Sequence, residues 1–348
     1  SSQTATAEIY VLKIAQEMIN TNRLETLSKL IQRFPEEFLD ISARLNLYNG
    51  EINRLLGNYN EAINFYSKAV KIAEMENNQT DLALAYVYQT IIQASRGEQG
   101  ENLIDKVFDM FSETDIHELA FAYNTKGITY LFGEKISESL KYFESALKYY
   151  EQLNDSTGQA KVLHNLGFAY SMLGSFEHSK STYERSIKQA ESSGKYPYIM
   201  TYNNIAIIYN YSGDFNEARN FAEKALNLAQ KLGYKRDLSY AYWTLGMIST
   251  NLEEYIKSEN YFNECLSIGI EIGDRQIQAY ALSGLSELAR LQEKLSKSSD
   301  LIEEAIRRRD LPLDNQGMIE LIMQKTSISI DLSDFKTAKY DLEEYLLP

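Results

Sequence analysis

A short phrase returns along this chain at intervals close to 40 residues. Lys126-Gly127-Ile128-Thr129-Tyr130 is followed by Leu166-Gly167-Phe168-Ala169-Tyr170, then Ile205-Ala206-Ile207-Ile208-Tyr209, then Leu245-Gly246-Met247-Ile248-Ser249. The steps between the small residues are 40, 39 and 40. A unit of this length buries its apolar face only by stacking on its neighbours, and that makes a solenoid. Length alone would suggest two domains for 348 residues. A solenoid overrules that count, because it grows by addition and has no single core.

Each copy reads as two helices. After Gly167 come Gly174, Phe176, Tyr183 and Ser186. After Ala206 come Gly213, Phe215, Ala218 and Ala225, and after Gly50 come Gly57, Tyr59, Ala62, Tyr66 and Ala69. Small residues mark close helix approach, and large aromatics fill the gaps between. The glycine closing the first helix supplies a left-handed turn. On these residues the chain resembles the tetratricopeptide repeat family. The usual period there is about 34 residues. The six or so extra residues add about one and a half turns per pair.

The resemblance implies an all-α, right-handed superhelical solenoid of about eight helix pairs. The pairs are expected to begin near Ala43, residue 81, Ala120, Ala160, Ile199, Ser239, residue 277 and residue 317. Thr90 takes the small-residue slot in the second pair and Gly284 in the seventh. Residues 1–40 are expected to form arm helices, and residues 41–348 one continuous superhelix. The chain itself reads as one piece of a longer protein.

Composition excludes several classes. Hydrophobic residues make up 44% of the chain, enough for folding rather than disorder. A net charge of −14 argues against direct nucleic-acid binding, which needs a basic footprint. Arg307-Arg308-Arg309 sits near a helix end, where the dipole favours cations. No run of about 18 apolar residues predicts a membrane span, and no charged-then-apolar leader opens the chain. A cytoplasmic location is expected. The single Cys265 falls in the slot of Ala225 one copy earlier and reads as a buried thiol in a reducing compartment.

Site chemistry is missing. The sequence holds no phosphate loop and no dinucleotide fingerprint. Its three histidines, His117, His164 and His178, form no cluster with the cysteine. Acidic residues are spread along the whole chain, and no carboxylate pair stands out. No enzymatic activity, cofactor or metal is expected.

In tetratricopeptide superhelices the first helix of each pair lines the concave face. With the small slot numbered eight, position four holds Tyr123, Leu163, Tyr202, Tyr242 and Tyr280, a row expected to be buried. Lys161 and Tyr240 stand at position two, and Asn124, His164, Asn203 and Trp243 at position five. Position six holds Thr125, Asn165, Asn204 and Thr244; position nine holds Ile128, Phe168, Ile207 and Met247. Positions twelve and thirteen include Asn210-Tyr211 and Thr250-Asn251. Positions five, nine and twelve are expected to share one face.

The candidate ligand wall is therefore Asn124, Lys161, His164, Asn165, Phe168, Asn203, Asn204, Ile207, Tyr211, Tyr240, Trp243, Thr244 and Met247. Asparagine pairs with both N–H and C=O of an extended peptide, or with sugar hydroxyls. Trp243 can stack on a sugar or pack an apolar side chain. Asparagine is a poor helix former, so a run of it needs a reason. The plain alternatives are solvated positions, asparagines bridging neighbouring repeats, and His164 as a packing imidazole.

The amino end carries a second resemblance. Gln16-Glu17-Met18-Ile19-Asn20 opens a leucine-rich arm that leads to Ile31-Gln32-Arg33-Phe34-Pro35-Glu36-Glu37, then to the copy from Arg44 to Ala69. Over residues 16–70 this resembles the segment joining the ATPase and winged-helix part to the sensor in STAND-class bacterial regulators. Phe34 replaces the usual leucine. The resemblance implies a sensor whose inducer relieves autoinhibition of domains elsewhere in the chain. The expected partners are a small polar effector or short peptide, and neighbouring regulatory domains. Two other readings stay open: a peptide-pheromone receptor and a plain protein–protein scaffold.

Overall fold

The computed structural model describes residues 2–20, 23–56, 58–95, 101–133, 135–194, 196–309 and 316–346. Among them the regular structure is all helical, with no strand. The chain forms two compact units, residues 1–195 and residues 196–348.

The first unit opens with α1 (Ser2–Asn20), α2 (Leu24–Ile31) and the short α3 (Glu36–Leu39). Four pairs follow: α4 (Ala43–Leu55) with α5 (Tyr59–Met75), α6 (Gln79–Ser95) with α7 (Glu101–Val107), α8 (Ile116–Phe132) with α9 (Ile136–Gln152), and α10 (Ser156–Met172) with α11 (Phe176–Ser192). Val11, Ala15 and Met18 of α1 share one apolar cluster with Leu27 and Ile31 of α2 and with Leu45 and Ile52 of α4. The arm therefore packs on the first pair as part of its core.

The second unit holds four more pairs: α12 (Ile199–Tyr211) with α13 (Phe215–Leu232), α14 (Lys235–Asn251) with α15 (Tyr255–Glu271), α16 (Arg275–Leu291) with α17 (Leu295–Arg309), and α18 (Gln316–Asp331) with α19 (Phe335–Asp341). A π-helical turn, Leu342–Leu346, follows. Gly174 and Gly213 close first helices at φ +70° and +81°, as their turns require. Asp155 and Asp274 cap α10 and α16 by accepting from backbone N–H groups of the first turn.

The recurring glycine has a packing reason. A Cβ at Gly50 would sit 2.2 Å from the Tyr66 ring, and at Gly127, Gly167 and Gly246 it would sit 2.6 Å from Phe143, Tyr183 and Phe262. Each ring lies 16 residues beyond its glycine. No side chain fits between the two helices there. In the fifth pair the slot is Ala206, and the residue 16 further on is Ala222, not an aromatic. Both alanines are fully buried, so a smaller partner makes room for the methyl group.

The seventh pair corrects the sequence register. Gly284 is not in slot eight. Ser286, 40 residues after Gly246, occupies it and is fully buried. Its carbonyl accepts from the Ser298 hydroxyl at 2.8 Å, as the Gly167 carbonyl does from Ser179 at 2.6 Å and the Gly246 carbonyl from Ser258 at 3.1 Å. Gly284 is small because the Phe262 ring, seated on Gly246, also presses on it, 2.3 Å from where a Cβ would be. With this register Leu282 takes position four and Tyr280 moves to position two. The arginine run lies in the last turn of α17, as expected. Arg307 and Arg308 pair with Glu304 at 2.9 and 2.6 Å, and Arg309 is buried with its guanidinium 5.1 Å from the Tyr280 ring centre.

Gly167→Ala is expected to destabilise by about 1–3 kcal/mol through overpacking against Tyr183. In a Tyr183→Ala background the same change should be neutral or stabilising, because alanine is the better helix former by about 1 kcal/mol. Denaturant midpoints of the four proteins measure the coupling; additive effects would sink this account of the slot.

Candidate functional site

First helices pack on one another within each unit: α4 on α6, α6 on α8 and α8 on α10, then α12 on α14, α14 on α16 and α16 on α18. Second helices make no comparable contacts among the described residues. A stack held along one side curves toward that side, so first helices line the inner surface of each unit.

The open stripe on that surface is positions two, nine and thirteen, joined at position six by Asn165 and Asn204 but not by the buried Thr125 and Thr244. In the first unit Lys161, Asn165, Phe168 and Met172 of α10 are half-buried. In the second unit Asn204 and Ile207 of α12 and Tyr240 and Met247 of α14 are half-buried, while Tyr211 and Asn251 are exposed. Of the expected face of positions five, nine and twelve, position nine is half-open, and His164 and Trp243 at position five are half-buried. Asn124, Asn203, Asn210 and Thr250, at positions five and twelve, are buried. The adjoining pair covers that side of the helix.

Asparagines form rungs between pairs. Asn165 Nδ2 donates to Asn124 Oδ1 at 2.8 Å, and Asn251 Nδ2 donates to Asn210 Oδ1 at 3.0 Å. Ser283 Oγ donates to Gln324 Oε1 at 2.6 Å, and Gln324 Nε2 returns a bond to the Ser283 carbonyl at 3.0 Å. Arg290 reaches Asp331 at 3.0 Å. Every rung spans 41 residues, one repeat plus one position. The rungs repay the poor helix propensity of asparagine. Asn165 and Asn251 each keep a free carbonyl lone pair and an N–H for a further partner.

The other predicted residues divide between wall and core. Thr244 is buried and donates to the Tyr240 carbonyl at 3.0 Å. Asn203 is 1% exposed, and its Oδ1 has no hydrogen-bond partner. Trp243 packs on Tyr280 with ring centres 5.2 Å apart, and both Trp243 and Tyr240 lean on the Cys265, Ile277 and Ala281 cluster. Burial pushes the Tyr240 phenol up to about 12. The His164 ring stands 5.6 Å from Tyr183, and burial holds its pKa down at about 4, so it is neutral at pH 7. Cys265 is buried, and its thiol is pushed up to about 12 by that burial.

Sequence reasoning missed the wall's continuation on α16 and α18. Glu287, Arg290, Glu320, Gln324 and Asp331 belong to it. The signal was available in the unbroken step of 40 from Gly246 to Ser286. It was masked by a nearby glycine that serves a different neighbour.

Tyr211 of α12 is exposed, and its phenol is raised above its usual value first by desolvation and then by the Glu320 carboxylate. Among the described residues no group of three His, Cys, Asp or Glu side chains gathers as a metal site, and no helix is long and apolar enough to cross a membrane.

Family models of the tetratricopeptide repeat match residues 158–231, and residues 50–74 and 239–268. The chain carries tetratricopeptide repeats. It is 25% identical over 205 residues to a TPR repeat-containing protein of Methanocaldococcus jannaschii, covering 57% of this chain and 34% of that protein, about a third of its length. It is similar in structure to a STAND protein with a tetratricopeptide repeat sensor from Pyrococcus horikoshii, with TM-score 0.62, 15% identity, and 96% of this chain and 48% of that one covered. Aspartyl phosphate phosphatase F from Bacillus subtilis is also similar, with TM-score 0.59, 15% identity, and 82% and 76% covered. At these identities the structural likeness is one of fold.

The folded His164 pKa lies below the unfolded value of about 6.5, so its contribution to stability is complete above that pH. It is lost as pH falls toward about 4. Asp237, raised by burial to about 6, shifts the opposite way over the same range. The difference in stability between wild type and His164→Phe therefore carries the signature. We expect an NMR titration midpoint below 5 for His164; a midpoint near 6.5 would contradict its desolvated, neutral state.

Proposed function

We propose that this chain is the non-catalytic, effector-binding part of a bacterial signal-transduction transcription regulator, with an inducer held against the inner wall. The rungs carry this reading. The amides that clamp one pair to the next also border the open stripe, so a molecule spanning two rungs acts on the angle between pairs. Each pair touches only its neighbours, and small rotations add along the stack. A ligand favours one set of angles through its differential affinity. About 1–3 kcal/mol is a typical coupling, within reach of two or three hydrogen bonds.

The arm is the proposed outlet. Its α1 and α2 share a core with α4, so a change in the first pair reaches them and then neighbouring regulatory domains. The STAND-like order of residues 16–70 and the fold likeness to the archaeal STAND protein support this assignment. Any ATPase or DNA-reading activity belongs to other domains, and the proposed location is the cytoplasm. The amide rungs also favour a second reading, a receptor for a peptide pheromone, because amides pair with both groups of an extended backbone.

Native mass spectrometry of the purified protein should reveal a retained ligand. Calorimetry with that ligand is expected to show Asn204→Ala and Tyr211→Ala each weakening binding about tenfold, which corresponds to about 1.4 kcal/mol. Unchanged affinity in both variants would remove the inner wall as the site.

A further inference from the structure

Ionic contacts tie together the amino-terminal ends of three successive first helices. Arg44 stands half-buried at position two of α4. Its Nε donates to the carboxylate of Asp81, in the first turn of α6. Its Nη2 lies 3.5 Å from Glu118, in the first turn of α8. The side chains of Arg44, Asp81 and Glu118 are 34%, 11% and 20% exposed, so salt screens them little. Asn78 holds Asp81 in place: its Nδ2 donates to the carboxylate at 3.0 Å, and its Oδ1 accepts from the Asp81 backbone N–H at 3.1 Å. Thr80 Oγ1 donates to Asp115 at 3.3 Å and links the same ends of α6 and α8. Ser42 caps α4 by accepting from the Leu45 N–H at 3.1 Å, and its hydroxyl donates to Glu8 of the arm helix α1.

We propose that Arg44 staples the first three pairs into one block that turns as a body and carries the arm with it. The amide rungs each join neighbouring pairs. The contact from Arg44 to Glu118 passes over α6 and joins α4 directly to α8, an exception to the rule that a pair meets only its neighbours. Rotation at either of the two intervening interfaces stretches it, so the staple resists both. Arginine suits the place because its planar fork presents donors in more than one direction, whereas an ammonium is a single point charge. Glu8, Ser42 and Arg44 bring the arm, the helix cap and the staple together at the start of α4. A change of angle beyond α8 then reaches α1 as the movement of one body, not as a sum of small rotations. The staple does not depend on what the inner wall binds.

Hydrogen exchange of the whole chain, followed by mass spectrometry, tests this without a ligand. Glu118→Gln, on α8, should speed exchange of the α1 and α4 amides, two pairs away, at least about threefold. Arg44→Met should do the same and loosen α6 and α8 as well. The double variant should go no further than Arg44→Met alone, because a shared contact is lost only once. Glu138→Gln makes the same charge change on the exposed side of α9, in the same pair as Glu118, and should leave α1 and α4 unchanged. Exchange in α14 and α16 should stay at the wild-type rate in every variant. Thermal melts confirm that each variant is folded; if Arg44→Met is not, Arg44→Lys, which reaches one carboxylate but not both, takes its place. Faster exchange confined to α8 in Glu118→Gln would overturn the staple. So would additive effects in the double variant, or equal acceleration throughout residues 196–348.

Discussion

The face of an aromatic ring resting on a glycine sets how closely the two helices of a pair approach. Gly167 under Tyr183 and Gly246 under Phe262 leave no room for a methyl group. Burying such a ring is worth about 1.5–3 kcal/mol on area alone, and the contact repeats along the stack. Where the slot gains a side chain, the opposite residue shrinks or changes shape. Ala206 faces Ala222, and Ser286 stands 16 residues before the fully buried Ile302. The pairs thus keep similar spacing by different means, and this lets each stack on the next.

Stacking then decides what remains for binding. Each first helix shows one side to the preceding pair, one to the following pair and one to its own second helix. What is left is a narrow stripe on the inner surface. Polar residues on its border become rungs, as with Asn165 to Asn124 and Asn251 to Asn210. Residues in its middle stay half-open, as with Phe168, Ile207 and Met247. A surface whose border residues also hold the repeats together suits sensing, because occupying it and changing the angle between repeats are one event.

Much of the fold was legible because a solenoid writes its period into the chain. The helix-pair grammar, the eight pairs and the special status of the small slot follow from spacing and residue size alone. The thiol of Cys265 was readable as buried because its equivalent one copy earlier is an alanine. The site was less legible. Asn203 and Thr244 have the residue types of a polar wall, yet both are buried, while Tyr211 stands in the open. Helical periodicity names sets of residues that share a side; it does not say which side the neighbouring repeat covers.

The sequence by itself determined the repeat, its two-helix content and the places where helices must touch, since these depend on local spacing and side-chain size. Only the tertiary structure decided the register of the seventh pair, where Gly284 and Ser286 are equally small and differ only in which ring or carbonyl they meet. It also decided which stripe is open. Curvature is the physical reason. It accumulates from many small packing angles, and no single repeat records it.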